Sequence, residues 1–257
     1  MEKKTTLLGV RFDCVSRREL EFKLKKLLLE DSFKYIVTPN PEIVELAQVD
    51  DEYKSILNNA DMSIADGVGV EIASHVLNCE RLERIPGIEI GEMLMSICAQ
   101  SGYRLFFLGG KRGVAVSAAK RMMKKYKGLC VSGACHGYFS KEDSDKVINK
   151  IVDSRTDVLF VCMGFPYQEK WVHENFNKLT GVKLAICLGG SVDIYSGNVR
   201  RAPEAIRNAG LEWAWRATSS PEHLKRVLKL PRFVFRVVCQ KCSERFKTAL
   251  RDDFIVK

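Results

Sequence analysis

Long apolar runs are absent from this chain. No stretch approaches the ~20 residues needed to cross a bilayer, and the N-terminal MEKKTTLLGVRF carries charge but no extended apolar segment. Neither a spanning helix nor a signal peptide is expected. Histidine is scarce, with four residues in 257, and His75, His136, His173 and His223 sit at no spacing that pairs a nucleophile with a base. A Gly-x-Ser-x-Gly nucleophile elbow is lacking. So are a Walker A loop and a Gly-x-Gly-x-x-Gly turn after the first apolar run, which a nucleotide-dependent oxidoreductase would need. Low-complexity segments and internal repeats are lacking too. Cysteine is not scarce, but its nine residues are odd in number and several lie inside apolar runs such as LFVCMG and AICLGG. That is the usage of reduced, buried thiols in a cytosolic protein and argues against a disulfide framework. Cys239-x-x-Cys242 has no second pair, and Cys130, Cys135 and His136 lack zinc-ligand spacing.

What is present is an ordinary globular composition, 46% hydrophobic and 28% charged, long enough for one large or two small domains. The net charge of +9 is unevenly distributed. Residues 200–257 hold 14 of the 41 Lys and Arg but only 6 of the 32 Asp and Glu, so a nearly neutral body carries a basic tail. Such a tail suits nucleic acid or an anionic membrane surface. Lys225, Lys229, Arg232 and Arg236 step by four, three and four beside the apolar Leu224, Val227, Leu228, Val234, Phe235 and Val238. Basic and amphipathic together read as a helix lying on a membrane; the plainer alternative is a C-terminal helix packed on the body. Phe233, Phe235 and Phe246 look like an apolar helix face rather than base-stacking groups, so nucleic acid is not expected as a partner.

Along the chain, a strand is expected over 5–12 and a helix from the capping pair Ser16 and Glu19 to about residue 30. A strand over 34–38, helices from Pro41 and from Asp51, a strand over 61–65 and helices over 68–78 and 89–100 follow. Thereafter strands at 104–108, 129–134, 157–163 and 183–188 alternate with helices from about Val114, Ser140 and Tyr167. This beat predicts βαβ units and an α/β fold with a mostly parallel sheet, helices on both faces. After Gly197 the texture changes to two or three helices broken at Gly210, Ser219-Ser220-Pro221 and Pro231. The division expected is a body over 1–198 and a basic helical appendage over 199–257.

In a parallel sheet the carboxyl ends of the strands form one edge, where ligands bind. Tyr35-Ile36-Val37 stops at Thr38-Pro39-Asn40-Pro41, and Met62-Ser63-Ile64-Ala65 stops at Asp66-Gly67-Val68-Gly69. Thr38, Asn40 and Asp66 are therefore expected to meet in one crevice. A carboxylate there suits a general base or a ribose contact; an Asp capping the next helix fits the spacing equally well. The Gly109-Gly110 turn offers backbone N–H groups to a phosphate or is simply a tight βα turn. Gln168, Glu169 and Lys170 open a helix at the same edge, where they suit sugar hydroxyls or a diphosphate; a charged first turn is the alternative. Gly189-Gly190, followed by Asp193, repeats the strand–glycine–carboxylate theme. Arg200 and Arg201 then suit an anionic leaving group.

TPNPEIVELA, NNADMSIADGVGV, RIPG, FLGGKRG, DVLFVCMGFPYQEKW, LGGSVDIYSGNVRRAP and GLEWAWR occur in that order. Together, over about residues 5 to 230, they resemble the TagA/WecG/CpsF family of bacterial glycosyltransferases. The resemblance implies a Rossmann-like α/β fold and an inverting sugar transfer without cofactor or metal. It implies N-acetylmannosamine (ManNAc) as the sugar, a UDP-sugar donor (UDP-ManNAc) and an undecaprenyl-diphosphate-linked GlcNAc acceptor. The product would be the wall teichoic acid linkage unit or a related surface polysaccharide precursor, made at the inner face of the cell membrane by a cytoplasmic, peripheral protein. Family members also use ManNAcA, glucose or glucuronic acid donors. Asp143-Ser144-Asp145 matches the DxD pattern of metal-dependent transferases but falls in the first turn of a charged, exposed helix, so no metal is expected. Carried over by motif, Asp66 is the general base, Thr38 and Asn40 line the sugar site, and Arg84 and Gln168 contact substrate or leaving diphosphate. Arg207 and Arg216 would reach the lipid diphosphate or close the site. The chain departs from the family's common residues at Ile88, Glu89, Ser191 and Tyr195, which bears on donor specificity. A homo-oligomer is compatible with the sequence.

Overall fold

The computed structural model describes residues 3–219 and 230–255, the side chains of 216–219 and 244–255 excepted. It opens with a hairpin where one strand was expected. β1 (Lys4–Leu7) and β2 (Val10–Asp13) pair antiparallel across Leu8 and Gly9, whose φ values are 50° and 76°. Positive φ at both central residues is the type I′ hairpin turn, and a leucine there gives little sequence signal because non-glycine residues seldom adopt it. The capping pair holds as expected. Ser16 and Glu19 exchange side-chain and backbone hydrogen bonds at the start of α1 (Arg17–Leu29), and Leu20, Leu24 and Leu28 form its buried stripe.

β3 (Lys34–Val37), β4 (Met62–Ser63), β5 (Arg104–Gly109), β6 (Cys130–Cys135), β7 (Val158–Cys162) and β8 (Leu184–Cys187) form one sheet in the order β4-β3-β8-β7-β5-β6. Every pairing in it is parallel. β7 and β8 are buried along their whole length, as strands covered on both faces must be. β4 is shorter than expected. Past it, the Ile64 amide still donates to the Val37 carbonyl at 3.0 Å, so the chain stays beside β3 as it leaves the ladder.

The connections supply α2 (Pro41–Leu46), α3 (Asp51–Asn58), α4 (Val68–Val76), α5 (Gly87–Ser101), α6 (Val114–Lys125), α7 (Ser144–Asp153), α8 (Tyr167–Glu174) and α9 (Ser191–Ser196). α7 begins later than Ser140, because Ser140 and Asp143 bond one another in a preceding turn. Val44, Tyr53, Val70, Ile148 and Val172 bring α2, α3, α4, α7 and α8 into one core. Leu24, Leu94, Ala118 and Val192 bring α1, α5, α6 and α9 into the other. Along the strand order β3, β8, β7, β5, the helices that follow go alternately to the first core and the second. A crevice opens at the carboxyl edge of a sheet where neighbouring connections diverge in this way.

α10 (Glu204–Asn208) and α11 (Glu212–Ser219) are separated at Gly210, with φ of 73°, as expected. α12 (Leu230–Ile255) carries Pro231 at its second position, where a missing N–H costs the helix nothing. Phe233 and Val237 of α12 are buried and join the first core, and Arg236 Nε donates to Glu45 of α2 at 3.3 Å. Val234, Phe235 and Val238 on the same helix stay exposed. Lys225, Lys229 and the expected break at Ser220-Pro221 lie outside the described residues. Among the described residues no helix is long and apolar enough to cross a membrane.

Candidate active site

A cleft of roughly 1170 Å³ runs along the carboxyl edge of the sheet, and Thr38, Asn40 and Asp66 meet in it. The Asp66 amide donates to the Pro39 carbonyl at 3.1 Å, which pins the exit of β4 to the exit of β3. Gly87 marks the meeting point. A Cβ built on it would lie 3.1 Å from Thr38 Oγ1, 3.5 Å from Leu188 Cδ2 and 3.6 Å from Asp66 Oδ2, so a side chain there would press on Thr38 and touch Asp66. Asp66 does not cap the next helix. Gly67 is the N-cap of α4 and makes no side-chain cap, while Asp66 Oδ2 accepts from the Gly87 amide at 3.4 Å.

Thr38 and Asn40 are held by the fold and keep capacity for a ligand. Thr38 Oγ1 donates to the Cys187 carbonyl at 3.0 Å, which leaves its lone pairs as acceptors. Asn40 Oδ1 caps α2 by accepting from the Ile43 amide at 3.0 Å, which leaves the Nδ2 hydrogens. Arg84 lines the cleft and donates through Nη2 to the Arg207 carbonyl at 3.1 Å, tying α10 to the loop before α5.

Gln168, Glu169 and Lys170 separate in space. Gln168 lines the cleft, with Oε1 accepting from the Gly189 amide at 2.9 Å. Glu169 is buried behind it, 1% exposed and outside the cleft lining. Its Oε1 accepts from Gln168 Nε2 at 2.7 Å and its Oε2 from the Tyr53 hydroxyl at 3.1 Å. Burial pushes the Glu169 carboxyl up to about 7 against the pull of these hydrogen bonds. Lys170 borders the cleft and pairs with Asp50 at 3.0 Å and Glu52 at 3.5 Å.

The two Gly-Gly turns differ. Gly109 has φ of 142°, and a Cβ on it would lie 2.1 Å from the Cys162 carbonyl oxygen, so this glycine lets β5 close against β7. Gly110 reaches the cleft; Gly109 is not part of its lining. Gly189 and Gly190 line the cleft, and a Cβ on either would meet nothing within 4 Å. Asp193 also lines it, half-buried, and burial raises its carboxyl while Lys111 pulls the other way.

The arginines after Gly197 are less available than their sequence suggests. Arg201 is half-buried and bonded to Glu89 at 2.6 Å, with Glu212 at 3.6 Å, and Arg200 is exposed and outside the cleft lining. Glu89 also bonds Arg17. Burial opposes ionisation of Glu89, but the hydrogen bonds from Arg17 and Arg201 outweigh it and hold the carboxyl below its usual range. Arg207 enters through its carbonyl. Arg216 lies on α11, its side chain outside the described residues. The Tyr195 hydroxyl braces the wall from behind by donating to the Ile88 carbonyl at 2.7 Å, while Ser191, part of the lining, donates through Oγ to the Leu188 carbonyl at 2.7 Å. Asp143 and Asp145 pair with Lys146 and Lys178, and no group of three or more potential metal ligands occurs among the described residues. The cleft's apolar wall is Ile72 and Val76 of α4 and Trp213 of α11, to which the sequence assigns no role, with Val234 and Val238 of α12, expected on a membrane-facing stripe. Their i, i+4 spacing was readable, but nothing in it said that α4 and α12 face a common cleft.

A family model described as the glycosyl transferase WecG/TagA/CpsF family matches residues 5–247. Two similar proteins come from Staphylococcus aureus strains MRSA252 and MW2, and both carry the name N-acetylglucosaminyldiphosphoundecaprenol N-acetyl-beta-D-mannosaminyltransferase. They are 32% identical over 248 and 250 residues, and each alignment covers 96% of this chain and 96% of the relative.

Proposed function

This chain belongs to the WecG/TagA/CpsF family of glycosyl transferases, and on that premise we propose that it moves N-acetylmannosamine from UDP-N-acetylmannosamine to GlcNAc borne on undecaprenyl diphosphate. The observation that carries this is the meeting of Thr38 and Asp66 around Gly87, in a cleft whose outer wall is apolar. In the proposed reaction Asp66 takes the proton of the acceptor hydroxyl as its oxygen bonds to the anomeric carbon. The bond to UDP breaks on the opposite face, so the configuration inverts. General-base help of this kind is worth ~10²–10⁴-fold. Thr38 and Asn40 wall the sugar site, with Asp193 and Lys170 bordering it.

The departing diphosphate needs positive charge and hydrogen-bond donors. In this proposal Arg84, the second Nε2 hydrogen of Gln168 and the Gly190 amide provide them, the Gly110 amide being held by the Cys162 carbonyl at 3.2 Å, and no metal ion takes part. Residues 199–257 act as the unit that meets the lipid substrate. The exposed Phe235 with Arg232 seats on the anionic inner leaflet, Val234 and Val238 face the cleft, and Arg207 and Arg216 add charge as the segment closes. A carboxylate at the ordinary ~3.9 is a weak base; closure withdraws water from Asp66 and raises its affinity for the proton. The product would serve teichoic acid or related surface polymer synthesis.

The test is a donor screen on a short-chain GlcNAc-diphospholipid, following UDP release in the presence of a chelator. UDP-ManNAc turned over to a product of inverted configuration is the expected result. Preference for another UDP-sugar would overturn the donor assignment, and loss of activity with the chelator would overturn metal independence.

A further inference from the structure

We infer that Glu169 is a positioning residue for the transfer, acting through Gln168 to fix which atoms of that amide face the cleft. The inference rests on the proposal above that Gln168 touches the sugar donor.

The geometry is a relay of three hydrogen bonds through the first core. The Tyr53 hydroxyl of α3 donates to Glu169 Oε2 at 3.1 Å, Gln168 Nε2 donates to Glu169 Oε1 at 2.7 Å, and the Gly189 amide donates to Gln168 Oε1 at 2.9 Å. A carboxamide with its two ends exchanged would set N–H against the Gly189 N–H and oxygen against the carboxylate. Both contacts repel, so the amide has one orientation. With one Oε1 lone pair and one Nε2 hydrogen taken, the second Nε2 hydrogen is the one donor left for a ligand. That donor suits the oxygens of a sugar or diphosphate.

The placement of Glu169 favours this role over packing. It is 1% exposed, and Tyr53 is fully buried. The groups facing it are Tyr53 from α3, itself near Asp50, and the Cys187 thiol from β8. Its neighbour Lys170 turns to Asp50 and Glu52 instead, and among the described residues no ion pair to the carboxyl is formed. An apolar side chain of similar volume would cost less to bury. A carboxyl kept at that cost, one residue from a cleft-lining amide, is the kind of perturbed group that marks functional sites.

The experiment measures kcat/KM for the sugar donor in Glu169→Leu, Glu169→Gln, Gln168→Ala and the double variant Gln168→Ala/Glu169→Leu, each with its folded fraction. Glu169→Leu frees the amide and should lower kcat/KM about 10- to 100-fold, the scale of a small misplacement of a contact group. The double variant should be no worse than Gln168→Ala, because Glu169 has nothing left to position. Glu169→Gln should keep most activity, since its oxygen can accept from Gln168 while its amide donates to Tyr53. The wild type should show a rise in kcat/KM near pH 7, as Glu169 ionises and grips the N–H more strongly, and Glu169→Gln should lack it. Independent, multiplicative losses in the double variant would overturn the inference, as would wild-type kcat/KM in Glu169→Leu. If Glu169→Leu does not fold, the pH profile of Glu169→Gln decides, and an unchanged inflection there overturns it. Wild-type activity in Gln168→Ala overturns the assignment of Gln168 itself, an outcome read from that variant alone.

Discussion

At Glu169 burial and charge oppose each other, and the consequence for stability has a definite sign. Its carboxyl has the ordinary glutamate value near 4.5 in the unfolded chain, and burial pushes it up to about 7 in the fold. Between those values the folded state keeps a proton that the unfolded state has released. Stability contributed by this group is therefore complete below pH 4.5, falls as pH rises to about 7, and then levels. The size is at most about 3 kcal/mol, from a shift of this order at 1.36 kcal/mol per unit. Urea unfolding of wild type and Glu169→Gln at pH 5 and pH 8 measures it. The variant should gain relative to wild type at pH 8 and much less at pH 5; a constant difference would contradict the account. The residue scale is also where the sequence misled most. Glu169 and Lys170 stand beside Gln168 in one helical turn, yet three consecutive residues of a helix point about 100° apart. One faces the cleft, one the core and one the rim.

At the scale of elements, the same two letters serve two purposes. Gly109-Gly110 and Gly189-Gly190 each follow a strand, and nothing in the letters separates them. At Gly109 a methyl group would overlap the Cys162 carbonyl, whereas at Gly190 it would meet open cleft. Gly109→Ala should therefore lower stability by about 1–3 kcal/mol or more through overpacking between β5 and β7. Gly190→Ala, with φ of −78°, should leave the melting temperature nearly unchanged and weaken sugar-donor binding. Thermal melts and donor titrations check both; a Gly190→Ala that unfolds while binding normally would reverse the assignment. Most elements were legible because period-2 and period-3.6 apolar patterns and caps such as Ser16 and Asn40 are local signals. The hairpin at Leu8-Gly9, the short β4 and the late start of α7 were not. Each depends on backbone geometry or competing side-chain bonds that the pattern does not carry.

At the scale of the whole molecule, the crevice was legible and its enclosure was not. Thr38, Asn40 and Asp66 could be brought together from the rule that parallel strands end at one edge. The basic segment could be read from charge. Its seat on α2 and α4 could not, because Phe233 and Val237 alternate with Val234, Phe235 and Val238 in one apolar run. Only the partner surface decides which stripe turns inward. The result is a cleft with a polar floor at the sheet edge and an apolar wall shared by α4, α11 and α12. That division matches a substrate with a sugar diphosphate at one end and a hydrocarbon chain at the other.

The central claim is that Asp66, at the point where β3 and β4 end together, is the base. Turnover by Asp66→Asn on the GlcNAc-diphospholipid acceptor, with UDP-sugar binding followed by calorimetry on the same sample, tests it most directly. The account predicts turnover reduced by ~10²–10⁴-fold with binding retained. Near-normal turnover in Asp66→Asn would contradict it.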